Sequence, residues 1–214
     1  MARQYLRNAF QIPVFSILFL GLFLSCSDPQ LAARRELSEL NIEFTTARFI
    51  QSIKDGDFVV VRLFLEAGKD PNALQYKSRG TIVRGTPLLN AMNQPKIVKL
   101  LLEYGANLHK FSLINMARKG SPESIQLLIQ AGADVNHLDD DGNTALMWAV
   151  YAGEDIESVR LLLAAGADPK ARTKKGETLL EKAHQTYPTN SPRRLWKRDR
   201  TIISIIEKAI ADNE

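Results

Sequence analysis

One short phrase occurs four times in this chain and limits what it can fold into. It reads EAGKDPN at Glu66–Asn72, EYGANLH at Glu103–His109, QAGADVN at Gln130–Asn136 and AAGADPK at Ala164–Lys170. Each copy comes after an apolar run: LFL, LLL, LLI and LLL. Its glycines, Gly68, Gly105, Gly132 and Gly166, are spaced by 37, 27 and 34 residues. Self-similarity near a period of about 33 residues is the mark of a helical repeat array. In such an array each unit buries its apolar face only against its neighbours, and the product is an extended surface for another macromolecule.

Local signals agree. Thr86-Pro87 and Ser121-Pro122 each place a hydroxyl N-cap before a proline at the first helical position. Each glycine of the repeated phrase stands just past an apolar helix, where a left-handed residue ends the helix. Ala91, Ala117 and Ala149 are small enough to let paired helices approach. The chain divides into five units. The first has helices near Thr45–Lys54 and Asp57–Ala67, with Gly56 between them. The second spans Thr86–Tyr104, the third Phe111–Ala131 and the fourth Thr144–Ala165. The fifth opens at Gly176-Glu177-Thr178-Leu179-Leu180 and loses the pattern at Tyr187. After the proline-bounded loop Tyr187–Pro192, a final helix near Arg194–Ala211 buries Ile202, Ile203, Ile205 and Ile206. Irregular end units are what an array needs to close its core.

Asp141-Gly142-Asn143-Thr144-Ala145-Leu146-Met147-Trp148-Ala149 resembles the ankyrin-repeat opening D-x-G-x-T-P-L-H-x-A, with alanine for proline and Met147 for histidine. Gly85-Thr86-Pro87-Leu88-Leu89-Asn90-Ala91 gives the same opening, with Leu89 for histidine. Gly153 closes the first helix of the fourth unit. The resemblance covers residues 43–211 and implies an all-α ankyrin-repeat solenoid with β-turn fingers. It also implies a binding function rather than an enzyme. Carried over residue by residue, the partner-facing positions are Asn93, Gln94, Arg118, Lys119, Leu138, Asp140, Asn143, Tyr151, Arg172, Lys174, Lys175 and Gln185. Asn93 and Gln94 are the least regular, because the second unit is two residues short between Ala91 and Ile97.

The spacing also departs from regularity. The finger after Gly68 is long and carries Lys77, Arg79 and Arg84; the finger after Gly105 is nearly absent. Surface loops tolerate length change cheaply, so drift explains this equally well. The third unit lacks a finger and a Thr-Pro cap and is expected to be the weakest. Trp148 replaces a usual internal leucine and is expected in the core, whereas Tyr151 is expected at the interface.

The amino terminus carries Arg3 and Arg7 without an acid, then an apolar run over 9–24. This is the layout of a secretory signal. Its strongly apolar part, Val14–Leu24, is about eleven residues long, where a comfortable membrane helix takes roughly 20. It ends in Leu22-Phe23-Leu24-Ser25-Cys26, which resembles a bacterial lipobox, and Cys26 is the sole cysteine. Lipidation of Cys26, ordinary cleavage near Ser25 and Ser27, and a retained anchor all export the repeat domain; lipidation is the preferred reading. The expected organisation is a signal over 1–25, a lipidated tether and linker over 26–42, and the repeat domain over 43–211. Asp28-Pro29 is read as a break after the apolar segment.

Other chemistry is poorly supported. The net charge of +4 is too mild to argue nucleic-acid binding. Asp139-Asp140-Asp141-Gly142 opens like a calcium loop, but Val150 stands where the loop needs glutamate. His109, His137 and His184 show no metal-ligand spacing, no nucleophile turn or phosphate loop is present, and neither metal nor cofactor is expected. The basic run at Arg193, Arg194, Lys197, Arg198 and Arg200 reads as a solvated face, with anionic lipid as the other reading. The whole pattern predicts a monomeric, exported protein. It would sit in a bacterial periplasm, anchored to the inner or outer membrane through Cys26, and bind one exported protein such as a cell-wall hydrolase or toxin. The alternative is a structural or scaffold envelope lipoprotein with no inhibitory role, either stabilising an enzyme or lacking a discrete partner.

Overall fold

The computed structural model describes residues 28–74, 85–110, 112–152, 155–186 and 193–212. The leader with Cys26, the basic residues Lys77, Arg79 and Arg84 of the finger after Gly68, Gly153 and the loop 187–192 lie outside those residues. Eleven helices form among the described residues: α1 Pro29–Glu39, α2 Thr46–Asp55, α3 Phe58–Glu66, α4 Pro87–Asn90, α5 Pro95–Glu103, α6 Ser112–Lys119, α7 Pro122–Gln130, α8 Ala145–Ala152, α9 Ile156–Ala164, α10 Leu179–Thr186 and α11 Arg193–Ala211.

The starts of these helices reflect capping chemistry. The hydroxyls of Thr45, Thr86, Ser121 and Thr144 accept backbone N–H bonds of 3.2–3.3 Å from three residues ahead. Asp57 does the same for α3 at 3.1 Å. At α10 the exchange is reciprocal: Glu181 N donates to Thr178 Oγ1 at 3.2 Å and Thr178 N donates to Glu181 Oε2 at 2.7 Å. Two orphan donors are satisfied at once. The repeated phrase ends each outer helix as expected, with φ of 84 to 88° at Gly68, Gly105, Gly132 and Gly166. Only glycine takes that conformation without strain.

The helices stack in two rows. The inner row runs α2, α4, α6, α8, α10, and the outer row α1, α3, α5, α7, α9, α11. Within each unit the inner helix packs on the outer helix that comes after it. One core threads between the rows: Phe49, Phe64, Leu88, Leu101, Met116, Leu128, Leu146, Leu162 and Leu179 are at most 1% exposed. Two asparagines of the repeated phrase bolt adjacent units. Asn136 donates to Gly166 O at 3.0 Å and accepts from Asp168 N at 2.8 Å. Asn72 makes the same pair with Gly105 O and Asn107 N, at 3.1 and 2.7 Å.

Three features differ from the sequence reading. Residues 29–39, taken as linker, form α1, which buries Ala33 and Leu37 against α3. Asp28 accepts from Gln30 N at 3.0 Å, and Pro29 is the first helical residue. The pair that breaks a preceding helix is thus the cap of the next one. Arg34 fixes the contact by donating to Ala67 O at 3.1 Å and lying 4.8 Å from the centroid of the Phe44 ring. At the far end, α11 covers α9 and α10 as expected, but of the four isoleucines only Ile202 and Ile206 are buried, with Ile203 and Ile205 partly so. The third difference concerns the thinnest unit. α6 has eight residues and lies along α8, its most extensive neighbour, despite the missing finger. The inner helix of the second unit, α4, has only four residues. Its chain leaves the helix at Ala91, because Pro95 must open α5 so soon afterwards.

Hydrogen exchange therefore should open residues 87–94 before residues 112–119, the reverse of the order expected from finger length. Leu128, fully buried in α7, should cost about 2–5 kcal/mol when truncated to alanine, read by denaturant unfolding.

Candidate protein-binding face

The inner helices and the turns that precede them form one face. The fourth finger is built around Asp139. Asp139 N donates to Asn143 O at 2.9 Å and Gly142 N donates to Asp139 O at 3.0 Å, which closes the turn. The Asp139 carboxylate then accepts from Asp141 N, Asn143 N and Asn143 Nδ2 at 2.8–3.2 Å and from Trp148 Nε1 at 2.7 Å. Burial pushes this carboxyl up, but the donors outweigh it and hold it below the ordinary value. The fifth finger has the same plan. Thr173 N donates to Glu177 O at 3.0 Å and Gly176 N to Thr173 O at 2.8 Å.

The two fingers touch. Lys174 N donates to Asp141 O at 3.0 Å. A Cβ on Gly142 would stand 2.7 Å from Lys174 N, and Gly142 has φ of 80°. Glycine is needed there for both the turn and the close approach.

Behind the fingers a ribbon of side chains crosses three inner helices. On α6, the Arg118 guanidinium lies 5.5 Å from the centroid of the Trp148 ring and donates to Asn115 Oδ1 at 3.2 Å. On α8, Trp148 and Tyr151 pack with ring centroids 5.7 Å apart. On α10, Lys182 Nζ lies 4.7 Å from the Tyr151 centroid and donates to Tyr151 Oη at 3.3 Å. Lys182 is paired with Glu177 at 3.0 Å. Burial works against the Lys182 charge, but its bonds to Glu177 and Tyr151 raise the pKa above the ordinary lysine value. The bond from Lys182 holds Glu177 below the usual carboxylate range. Two grooves flank Trp148. One, about 380 Å³, lies between the fourth and fifth fingers and includes Tyr151 and Lys182. The other, about 290 Å³, lies where the third finger is missing, between Arg118 and Asp139–Asp141.

The partner positions inferred from sequence divide accordingly. Arg118, Lys119, Asp140, Tyr151, Arg172, Lys174 and Lys175 are at least partly exposed, and Leu138 is 48% exposed. Arg172 is engaged with its own finger, donating to Gly176 O at 2.9 Å. Asn93 is exposed, but Gln94 is half-buried and its Nε2 lies 3.4 Å from Lys54 O, a bond between the first and second units. Asn143 is 6% exposed and turned onto Asp139, so its side chain supports the finger from within. Gln185 lies in α10, its side chain outside those described. Trp148, expected in the core, is half-buried, packing on the core while joining the ribbon. Asp139, Glu177 and Lys182 were missed. The available signal was Trp148 and Tyr151 at i and i+3, a spacing that puts both rings on one helix face. No cluster of three metal-ligating side chains occurs among the described residues, and none of their helices is long and apolar enough to cross a membrane.

The architecture is an all-α solenoid of ankyrin repeats. The family model for ankyrin repeats (3 copies) matches residues 113–190, from α6 to just beyond α10. An ankyrin repeat-containing protein of Treponema pallidum (strain Nichols) is 32% identical over 128 residues, covering 55% of this chain and 41% of that protein. The human ankyrin repeat and SOCS box protein 6 is 40% identical over 102 residues, covering 41% of this chain and 24% of that protein. A glycerophosphocholine phosphodiesterase of Schizosaccharomyces pombe is 33% identical over 110 residues, only 9% of its own length. The chain thus spans less than half the length of each of these relatives. Ankyrin repeats imply a protein-binding module.

Asp139→Ala should remove the indole bond and the finger's anchor together. Hydrogen bonds to a charged group are worth about 1.5–3 kcal/mol, and the Trp148 emission should move, with Trp148→Phe as the spectral reference. The pH dependence has a definite sign. Because the folded-state pKa of Asp139 is lowered, its stabilisation is complete above the unfolded value of about 3.9. It is lost as pH falls through the lower folded value. Acid unfolding of Asp139→Asn should lack that component.

Proposed function

We propose that this protein is exported and tethered at the outer side of a bacterial membrane by a lipid on Cys26. There its concave face holds and inhibits one exported protein, such as a cell-wall hydrolase or a toxin, in self-protection. The observation that carries the binding role is the continuous ribbon Arg118–Trp148–Tyr151–Lys182 across three inner helices. Aromatic anchors beside charged groups dominate binding energy at protein interfaces. Export and tethering are supported by the basic and apolar leader ending at the sole cysteine. A rigid concave surface suits inhibition because it can cover an active site without rearranging.

Two measurements test the reading. Cys26→Ser should abolish labelling by a fatty-acid analogue and release the protein from membranes; unchanged labelling would remove the tether from the proposal. A photo-crosslinker at Tyr151 in cells should capture one stoichiometric exported protein, and Tyr151→Ala should weaken that complex by about 2 kcal/mol or more. An interface confined to the outer helices, near Glu103 and Arg160, would overturn the concave-face assignment. A captured enzyme that stays fully active would favour a scaffold over an inhibitor.

A further inference from the structure

The fourth and fifth finger tips carry opposite charges side by side. Asp140 and Asp141 are exposed on one tip, and Lys174 and Lys175 on the next. The tips are in backbone contact through Lys174 N and Asp141 O. Even so, no ion pair joins them among the described residues, where pairs form at Arg62–Glu66, Lys99–Glu103 and Lys182–Glu177. The two tips therefore do not neutralise one another. Between and behind them lies the 380 Å³ groove with the Trp148 and Tyr151 rings.

Asn143 adds a second observation. It borders this groove, is 6% exposed, and its Oδ1 has no hydrogen-bond partner. Its Nδ2 donates to both oxygens of Asp139, a carboxylate that can only accept, so the amide orientation is fixed. A buried acceptor left unpaired is costly.

Resting on the binding role proposed above, we propose that this groove receives an extended loop of the partner protein. That loop carries a basic residue beside an acidic one. The basic side chain meets Asp140 and Asp141, the acidic one meets Lys174 and Lys175, and the backbone between them crosses Trp148 and Tyr151. A ligand of one sign gains at one tip and is repelled at the other, which disfavours both nucleic acid and a purely basic tail. Specificity here comes from the order of charges, since each exposed pair alone is weak.

The test uses the full chain in mild detergent and three capped glycine–serine octapeptides. One carries Arg-Arg and then Glu-Glu, one four arginines, one four glutamates. The readout is the Trp148 indole resonance together with Trp148 fluorescence. The bipolar peptide should bind about fivefold more tightly than either of the others, as expected for two added surface pairs. Asp140→Asn with Asp141→Asn, and separately Lys174→Gln with Lys175→Gln, should each remove most of that preference. Circular dichroism confirms that both variants fold. Equal binding of a single-sign peptide, no binding at millimolar peptide, or indifference to both double variants overturns the proposal. So does a salt-sensitive dimer in sedimentation that either double variant dissociates, which would assign the tips to a second copy of this chain. If the peptides fail while Tyr151→Ala still weakens the captured partner, the binding role stands and the bipolar groove falls. If the peptides behave as expected but partner capture ignores the concave face, the binding role proposed above fails instead.

Discussion

No unit of this chain can stand alone. Its inner helices have four to ten residues, and an isolated helix of that length is unstable in water. Each unit therefore keeps its structure only because a neighbour covers its apolar face. Phe49, Leu88, Met116, Leu146 and Leu179 lie in successive units of one core that crosses every joint. The dependence has two consequences. The array must be closed at both ends, which α1 and α11 do on the outer row. Its local stability must also track the amount of helix each unit contributes, which singles out the four-residue α4.

The same stacking makes the proposed binding face. Trp148 has its indole tied to the fourth finger, Arg118 over it from the third unit and Tyr151 beside it. Tyr151 in turn takes Lys182 from the fifth unit. Three units thus hold one aromatic pair in place, so a partner docking there meets a preorganised surface and loses little ordering entropy on binding. The missing third finger has a use in this geometry. Its absence leaves one flank of the Asp139–Asp141 turn and the edge of Trp148 open.

Charge is handled differently behind the fingers and at their tips. Behind them Asp139, Glu177 and Lys182 are held ionised by neighbours inside the protein. At the tips Asp140, Asp141, Lys174 and Lys175 remain exposed without ion pairs to one another. The proposed step from scaffold to recognition is the step from the satisfied charges to these.

The repeated phrase, its glycines, the Thr-Pro and Ser-Pro caps and the apolar runs determined the helices, their order and the solenoid. These signals act within about a dozen residues, where backbone geometry and capping chemistry decide. Asp28-Pro29 was equally local, yet it admits two readings, the stop of one helix and the start of another. Only α3, offering a face for Ala33 and Leu37, chose the second. The placement of Asn143 inside the finger, the exposure of part of Trp148 and the burial of Lys182 were decided by tertiary structure alone. Each depends on a group from another turn or unit: Asp139 for Asn143, Arg118 for Trp148, Tyr151 for Lys182. A residue's type sets what it can bond to, but the stacking of units sets what stands opposite it, and that stacking is not written in any one repeat.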